Sequence, residues 1–96
     1  MYFENGQEKA NARDAYSTLS QSKQESFQSF RVRFMDITSR AEIPEDTQLD
    51  DIFRKIRPEL QASLLTDRRR WKSLWQAIQE IDALDKERTS FLLRNQ

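Results

Sequence analysis

Cysteine and histidine are missing from this sequence, and its 96 residues include only one glycine and two prolines. Without cysteine and histidine, a chain cannot form disulfides, use a thiol nucleophile or an imidazole base, or build most kinds of zinc site. A single glycine excludes a glycine-rich phosphate-binding loop and is too few for the many tight turns of an all-β fold. We therefore expect a protein that is not an enzyme and that binds no cofactor or metal.

The sequence also lacks long apolar runs and an excess of one charge. No run approaches the roughly 20 apolar residues of a membrane-spanning helix, and residues 1–7 lack the basic-then-apolar order of a signal peptide. Sixteen basic residues balance sixteen acidic ones, whereas dedicated nucleic-acid-binding domains usually carry a clear basic excess. These features favour protein partners, met through surface shape, apolar contact and local charge pairing, over membranes and small-molecule substrates.

What the sequence does contain is typical of helices, because glutamine, glutamate, arginine, leucine and alanine are frequent. Its length suits one domain. Residues 1–8 are polar and without periodicity, which predicts a flexible N-terminal arm. Residues 9–85 are expected to form the helical domain, and residues 86–96 either extend its last helix or form a tail. We predict an all-α fold, a small bundle of four to five short helices.

The clearest helix signal follows the segment Ser22–Glu25. This segment spells a capping box, in which the serine and glutamate side chains each bind the backbone amide of the other residue. The apolar residues that follow are spaced by three, four, three and four positions, which predicts one continuous apolar stripe along a helix ending near Arg40. These residues are Phe27, Phe30, Phe34, Ile37 and Ala41.

Weaker signals predict the other helices. A first helix is expected from about Lys9 to Leu19, and a third after Pro44, where acidic residues suit a helix start. Pro58 either ends the third helix or begins a short fourth one. Thr66-Asp67 is a cap signal for a last long helix that carries Trp71. The predicted core consists of Phe27, Phe30, Phe34, Ile37, Leu49, Phe53, Ile56, Leu60, Leu74, Ile78 and Ile81.

Three polar residues stand out around the second helix. Gln21 is followed after three residues by Glu25, and Glu25 after seven residues by Arg33. A partly buried network of these side chains would fix the turn to the helix, and the loss of one member would be costly. The alternative is a simple capping box with a surface arginine. We predict that Gln21, Glu25 and Arg33 form a connected hydrogen-bond network and perform no catalysis.

This stretch resembles the major homology region of retroviral and retrotransposon capsid proteins. Ser22 departs from that pattern, because retroviral versions usually have glycine there. The sequence from about Ala10 to Asp85 is similar to the C-terminal capsid domain of Gag proteins from Gypsy-type LTR retrotransposons. The matching polar positions are Gln21, Glu25 and Arg33, and the matching apolar positions are Phe27, Phe30 and Phe34.

The resemblance implies a retroviral capsid C-terminal-domain-like fold and a structural role. The domain would make homotypic contacts in the shells of cytoplasmic particles, as a homodimer or higher oligomer. A zinc knuckle of the kind that often follows in Gag is absent, so RNA packaging is not assigned to this chain. The alternative is a domesticated, SCAN-like dimerisation module of a regulatory protein, which would be nuclear.

The surface predicted for self-association is the third helix. Leu49, Phe53 and Ile56 follow an i, i+4, i+7 line and are expected to face the core, which leaves Ile52 on the flank beside Lys55. In the related capsid domains this helix commonly carries the two-fold contact, as the resemblance implies. The second candidate is the edge formed by two tryptophans at i, i+4. The candidate self-association residues are Leu49, Ile52, Phe53, Lys55, Trp71 and Trp75.

A short basic run next to the first tryptophan is a candidate for weak contact with RNA. It consists of Arg68, Arg69 and Arg70. The alternative is a solvated basic loop that pairs with acidic residues elsewhere in the chain. The balanced overall charge favours this alternative.

Overall fold

A computed structural model describes the backbone of residues 3–94 and the side chains of residues 7–90. This part of the chain contains α-helices, one 3-10 helix and no strand, which confirms the all-α class. The α-helices are α1 (Phe3–Thr18), α2 (Phe27–Ala41), α3 (Glu45–Lys55), α4 (Pro58–Leu64) and α5 (Leu74–Arg94), and the 3-10 helix (Asp67–Arg70) lies between α4 and α5.

The two ends of the chain are more helical than the sequence predicts. Helix α1 begins at Phe3 instead of Lys9, so most of the predicted N-terminal arm is helix. Helix α5 continues to Arg94, so the helical extension is the observed form of residues 86–94. Of the predicted arm and tail, residues 1, 2, 95 and 96 lie outside the described residues.

Helix α1 packs along α2 in the opposite direction. The Tyr16 and Phe34 rings lie 6.1 Å apart between centroids, and Arg13 Nε donates to the Ala41 carbonyl at 3.3 Å. The buried side of α1 is narrow, with Ala12 and Tyr16 as its buried apolar residues among those described. Since an isolated helix with so few apolar residues is marginal in water, its packing on α2 stabilises it.

Helix α2 begins at Phe27, later than the predicted capping box. Ser26 is the N-cap, and its hydroxyl accepts from the Ser29 amide at 3.2 Å. The predicted bond of the Ser22 hydroxyl is wrong, because the Glu25 amide donates to the Ser22 carbonyl instead, at 3.2 Å. The other half of the box forms, since the Ser22 amide donates to Glu25 Oε1 at 3.1 Å. Residues 22–25 are therefore a turn before the helix.

Helix α2 ends in a left-handed residue, Glu42, with φ 56° and ψ 50°. Its amide donates to the Ser39 carbonyl at 3.3 Å, and the Ile43 amide donates to the Thr38 carbonyl at 3.0 Å. These two bonds satisfy carbonyls at the helix end, in a position that glycine usually occupies. Pro44 occupies the N-cap position of α3, and Glu45 and Asp46 lie in the first turn of that helix, as the sequence predicts.

The junction between α3 and α4 is extended. Ile56 and Arg57 have ψ values of 168° and 148°. Pro58 disfavours the helical region at Arg57, the residue directly before it. Pro58 is the first residue of α4, which confirms the second of the two sequence alternatives. Thr66-Asp67, by contrast, opens the 3-10 helix and not α5, so Trp71 lies before the last helix and not in it.

The core lies where α2, α3, α4 and α5 meet. Ile37, Leu49 and Leu74 of the predicted core are only partly buried and pack on its edge. The predicted residues that are buried are Phe27, Phe30, Phe34, Phe53, Ile56, Leu60, Ile78 and Ile81. The structure adds Tyr16, Leu19, Ile52, Leu64, Trp71 and Ala77.

The predicted position of Ile52 on the flank of α3 is wrong, although Phe53 and Ile56 are buried as predicted. Ile52, expected on the flank, is only 1% exposed, whereas Leu49 is partly buried. The prediction extended the helical spacing through Ile56, but the helix ends at Lys55 and Ile56 is extended. The Ile56 side chain therefore does not indicate which side of α3 faces the core, and Ile52 and Phe53 lie on that side.

Phe30 tests the position of the core. It is fully buried, and its ring centroid lies 6.0 Å from that of Phe27 and 5.8 Å from that of Phe34. Phe30→Ala should lower the free energy of unfolding by about 3–5 kcal/mol, as measured by urea unfolding followed by circular dichroism. The control Val32→Ala, at an exposed position of the same helix, should change it by less than about 0.5 kcal/mol. Equal effects of the two substitutions would contradict this core.

Candidate functional site

A buried glutamine lies at the centre of the candidate site. Gln21 is in the segment between α1 and α2, and all of its hydrogen-bonding groups except the carbonyl have partners. Its amide donates to the Lys55 carbonyl at 2.7 Å, and its side-chain Oε1 accepts from the Arg57 amide at 3.1 Å. Its Nε2 donates to the Glu25 carbonyl at 2.8 Å. One side chain thus joins the turn before α2 to the junction of α3 and α4.

Glu25 and Arg33 form the second part of the site. Arg33 donates through Nε to Glu25 Oε2 at 2.9 Å and through Nη2 to Glu25 Oε1 at 2.6 Å. The same Nη2 donates to the Ser20 carbonyl at 3.0 Å. The turn curls back over the first turns of α2, which brings together two residues that are eight positions apart. The structure therefore places Gln21, Glu25 and Arg33 in one connected set of hydrogen bonds.

The electrostatics of this pair favour its charged form. The hydrogen bonds from Arg33 hold the pKa of the Glu25 carboxyl below its ordinary value, although burial opposes them. The amide of Ser22 lowers the same pKa further. Because a parallel pair of N–H donors faces both carboxylate oxygens, the interaction fixes an orientation as well as a charge.

A second ion pair, which the sequence reading missed, lies on the other side of Gln21. Arg57 Nη2 donates to Asp85 Oδ1 at 2.6 Å, and both side chains are largely buried. Arg57 Nη1 donates to the Lys23 carbonyl at 2.9 Å, and Asp85 Oδ2 accepts from the Phe27 amide at 3.0 Å. Asp85 thus satisfies a free amide at the start of α2 from the distant helix α5.

One sequence signal could have pointed to this pair. Asp85 continues the i, i+4, i+7, i+11 line of Leu74, Ile78 and Ile81 along the inward side of α5. A carboxylate on a buried stripe needs a cation or amide partner, since burying it alone is costly. The identity of the partner, Arg57, follows only from the three-dimensional fold.

Lys55 closes the C-terminal end of α1. Its ammonium group donates to the carbonyls of Tyr16 and Leu19 and lies 4.3 Å from the centroid of the Tyr16 ring. Burial lowers the pKa of the Lys55 ammonium, and the nearby Asp51 opposes this shift. The Tyr16 hydroxyl donates to Asp51 Oδ2 at 2.7 Å, and burial raises the pKa of this hydroxyl. Lys55 therefore acts inside the domain, not on a free surface.

The predicted self-association residues do not share one surface. Ile52, Phe53 and Trp71 are buried in the core, and the Trp71 indole donates to Glu80 Oε1 at 2.9 Å. Leu49 packs on the edge of the core. Trp75 is 57% exposed and is the candidate that presents a large apolar side chain to solvent. The α3 surface centred on Ile52 is thus corrected, because that side chain is inside the domain.

The predicted basic run is only partly free for another molecule. The Arg68 guanidinium lies 4.2 Å from the centroid of the Phe53 ring, and Arg70 pairs with Asp67. Arg69 is exposed. One arginine thus pairs with an acidic residue of its own 3-10 helix, and a second lies over an aromatic ring.

No group of three or more acidic, cysteine or histidine side chains that could hold a metal ion occurs among the described residues. Over the same residues, none of the helices combines the length and apolar character that a membrane span needs.

The aromatic positions of the motif, Phe27, Phe30 and Phe34, are fully buried. The site is therefore a polar turn fastened over an aromatic core.

The Glu25–Arg33 pair makes stability depend on pH. Because the folded state lowers the pKa of Glu25, its contribution is present above the unfolded value of about 4.3 and is lost as the pH falls through the lower folded value. Glu25→Gln should cost roughly 1–2 kcal/mol of unfolding free energy at neutral pH, and progressively less in acid.

Urea unfolding at a series of pH values measures this difference. Glu87→Gln, at an exposed carboxylate of α5, is the matched control and should differ little from the parent at any pH. A constant difference between parent and Glu25→Gln across the acidic range would contradict the charged pair.

The likeness to capsid proteins rests on the residues of this chain, above all on Gln21, Glu25 and Arg33. A scan against models of protein families, a search of curated proteins and a search of solved structures each find no match to this chain.

Proposed function

We propose that this chain is a capsid-type assembly domain of a retrotransposon Gag protein, which makes homotypic contacts in a particle shell and catalyses no reaction. The observation that carries the proposal is the set of hydrogen bonds among Gln21, Glu25 and Arg33. These are the residues on which the resemblance to the major homology region rests. Their polar atoms hold elements of the domain together, which supports a structural role.

The other buried polar groups also favour a scaffold over catalysis. Asp85 is saturated by Arg57 and the Phe27 amide. A catalytic carboxylate needs a position from which it can reach a substrate in a cleft, with protonation tuned to its task. Both carboxylate oxygens of Asp85 instead accept hydrogen bonds that join α5 to α2 and to the α3–α4 junction.

The charge distribution supports contact between identical copies. The chain has no net charge, and acidic and basic residues pair on its surface, as Asp36 with Arg40 at 3.3 Å and Asp82 with Lys86 at 3.0 Å. A strong charge of one sign would make copies repel one another, whereas a balanced surface does not. Weak symmetric contacts suffice for a shell, because many of them act together.

The direct test of this proposal is the mass of the chain in solution as a function of concentration. Light scattering from about 10 µM to about 1 mM should show a mean mass that rises steadily and passes that of a dimer, as expected for weak repeated contacts. A plateau at two copies would instead indicate the dimerisation module of a regulatory protein. A monomer over the whole range would contradict both functions.

The salt dependence of the same measurement tests the role of RNA. Association that needs added RNA and disappears steeply with salt would indicate a nucleic-acid-binding module, since counterion release dominates such binding. Association of the protein alone, with a shallow salt dependence, is the result expected for a protein–protein contact.

A further inference from the structure

The outer side of α2 presents apolar side chains that the described part of the domain leaves largely exposed. Val32 is 67% exposed and Met35 is 51% exposed, whereas Phe30 and Phe34 of the same helix are fully buried. Residues three apart lie next to each other on a helix, so Val32 and Met35 form a short apolar strip turned away from the core. We call this strip, together with the flanking residues Arg31 and Asp36, the outer face of α2.

Trp75 extends this face onto α5. The Arg31 guanidinium lies 5.7 Å from the centroid of the Trp75 ring, and Arg31 precedes Val32 directly and Met35 by one helical turn. The indole is 57% exposed, although the arginine covers part of it. Aromatic residues, methionine and arginine are the types enriched at protein interfaces, and charged residues are depleted at their centres.

The charges on either side of the strip complement each other between two copies. In the heptad notation of paired helices, Val32 and Met35 take the a and d positions, which places Arg31 at g and Asp36 at e. When two such helices run in the same direction, a g residue of one faces the e residue five positions later on the other. Arg31 of each copy would therefore face Asp36 of the other copy.

Asp36 can exchange its present partner for Arg31 of a second copy at little cost in free energy. Its present partner is Arg40, one turn further along the same helix, and both side chains are more than half exposed. Exposed pairs of this kind contribute little to stability, so a partner copy can compete for the carboxylate. Neither Arg31 nor Asp36 would then be buried without a partner of opposite charge.

We propose that a second copy of this chain docks on the outer face of α2, with the two α2 helices side by side and parallel around a two-fold axis. The inference rests on the proposed assembly function and names one of its contact surfaces, because a two-fold contact closes at two copies and growth beyond a dimer needs a further contact elsewhere on the domain. Val32 and Met35 of both copies form the apolar centre, and each Arg31 meets the other copy's Asp36. Trp75 lies at the edge, where the second helix covers more of its ring.

The small size of the face sets the expected strength. Two helices that meet over a single heptad bury much less than the roughly 1,200–2,000 Å² of a stable interface. The contact is therefore weak for an isolated pair, and its effect grows when many copies are joined in one particle. Measurements on the isolated chain consequently need high concentrations.

The first experiment is sedimentation equilibrium of the full chain and of Val32→Glu and Met35→Glu, with circular dichroism on the same samples. Each change is felt twice across a two-fold axis, so each variant should bind its copies at least about tenfold more weakly while remaining folded. The control is Leu65→Glu, which removes an exposed leucine at the end of α4 and should leave association unchanged. Folded Val32→Glu protein that associates like the parent would overturn the proposal.

The second experiment is a charge exchange. Arg31→Glu and Asp36→Arg should each weaken association by about threefold or more, and the double variant should return to within about twofold of the parent. The double variant also lacks the guanidinium over Trp75, so recovery cannot come from that contact. Failure of the double variant to recover would contradict the parallel arrangement.

These outcomes separate the surface from the function. A parent chain that stays monomeric at the highest concentration contradicts the assembly function itself. A parent chain that associates, with variants of the outer face that associate equally well, keeps the function and places its contact elsewhere on the domain.

Discussion

The hydrogen bonds of Gln21 fasten the segment between α1 and α2 to the backbone where α3 ends and α4 begins. Its amide, side-chain nitrogen and side-chain oxygen bind the end of α3, the turn before α2 and the start of the α3–α4 junction. Each partner is a backbone group at a place where a helix has ended or not yet begun, so it lacks a helical partner. A glutamine is suited to this position because its amide both donates and accepts.

Two ion pairs fix the region around Gln21 to two further helices, α2 and α5. Arg33 and Glu25 hold the turn down on α2, while Arg57 and Asp85 tie the same region to α5. Apolar packing alone is tolerant of sliding and repacking. Directed polar bonds are not, since each buried group left without a partner costs free energy. The proposed assembly would benefit from such fixed geometry, because it repeats the same contacts in many copies.

Much of the fold, and the three-residue centre of the site, could be predicted from local patterns. The aromatic stripe of α2 and the start of α4 at Pro58 depend on spacing and backbone chemistry that the sequence displays. The errors in the predicted fold and site arose where tertiary packing overrode a rule based on local sequence. Ile52 was placed outside because the helical spacing was carried through Ile56, which is extended. The Arg57–Asp85 pair spans 28 residues, and no local pattern joins its members.

Hydrogen exchange at the Gln21 amide tests the central claim, that the buried glutamine holds these elements in one cooperative unit. The amide donates to the Lys55 carbonyl at 2.7 Å, so its exchange should require an opening close in free energy to global unfolding. In Arg33→Ala, this protection should fall relative to that of the Phe34 amide in the core. Exchange of the Gln21 amide at the rate of an exposed loop in the parent chain would contradict the account.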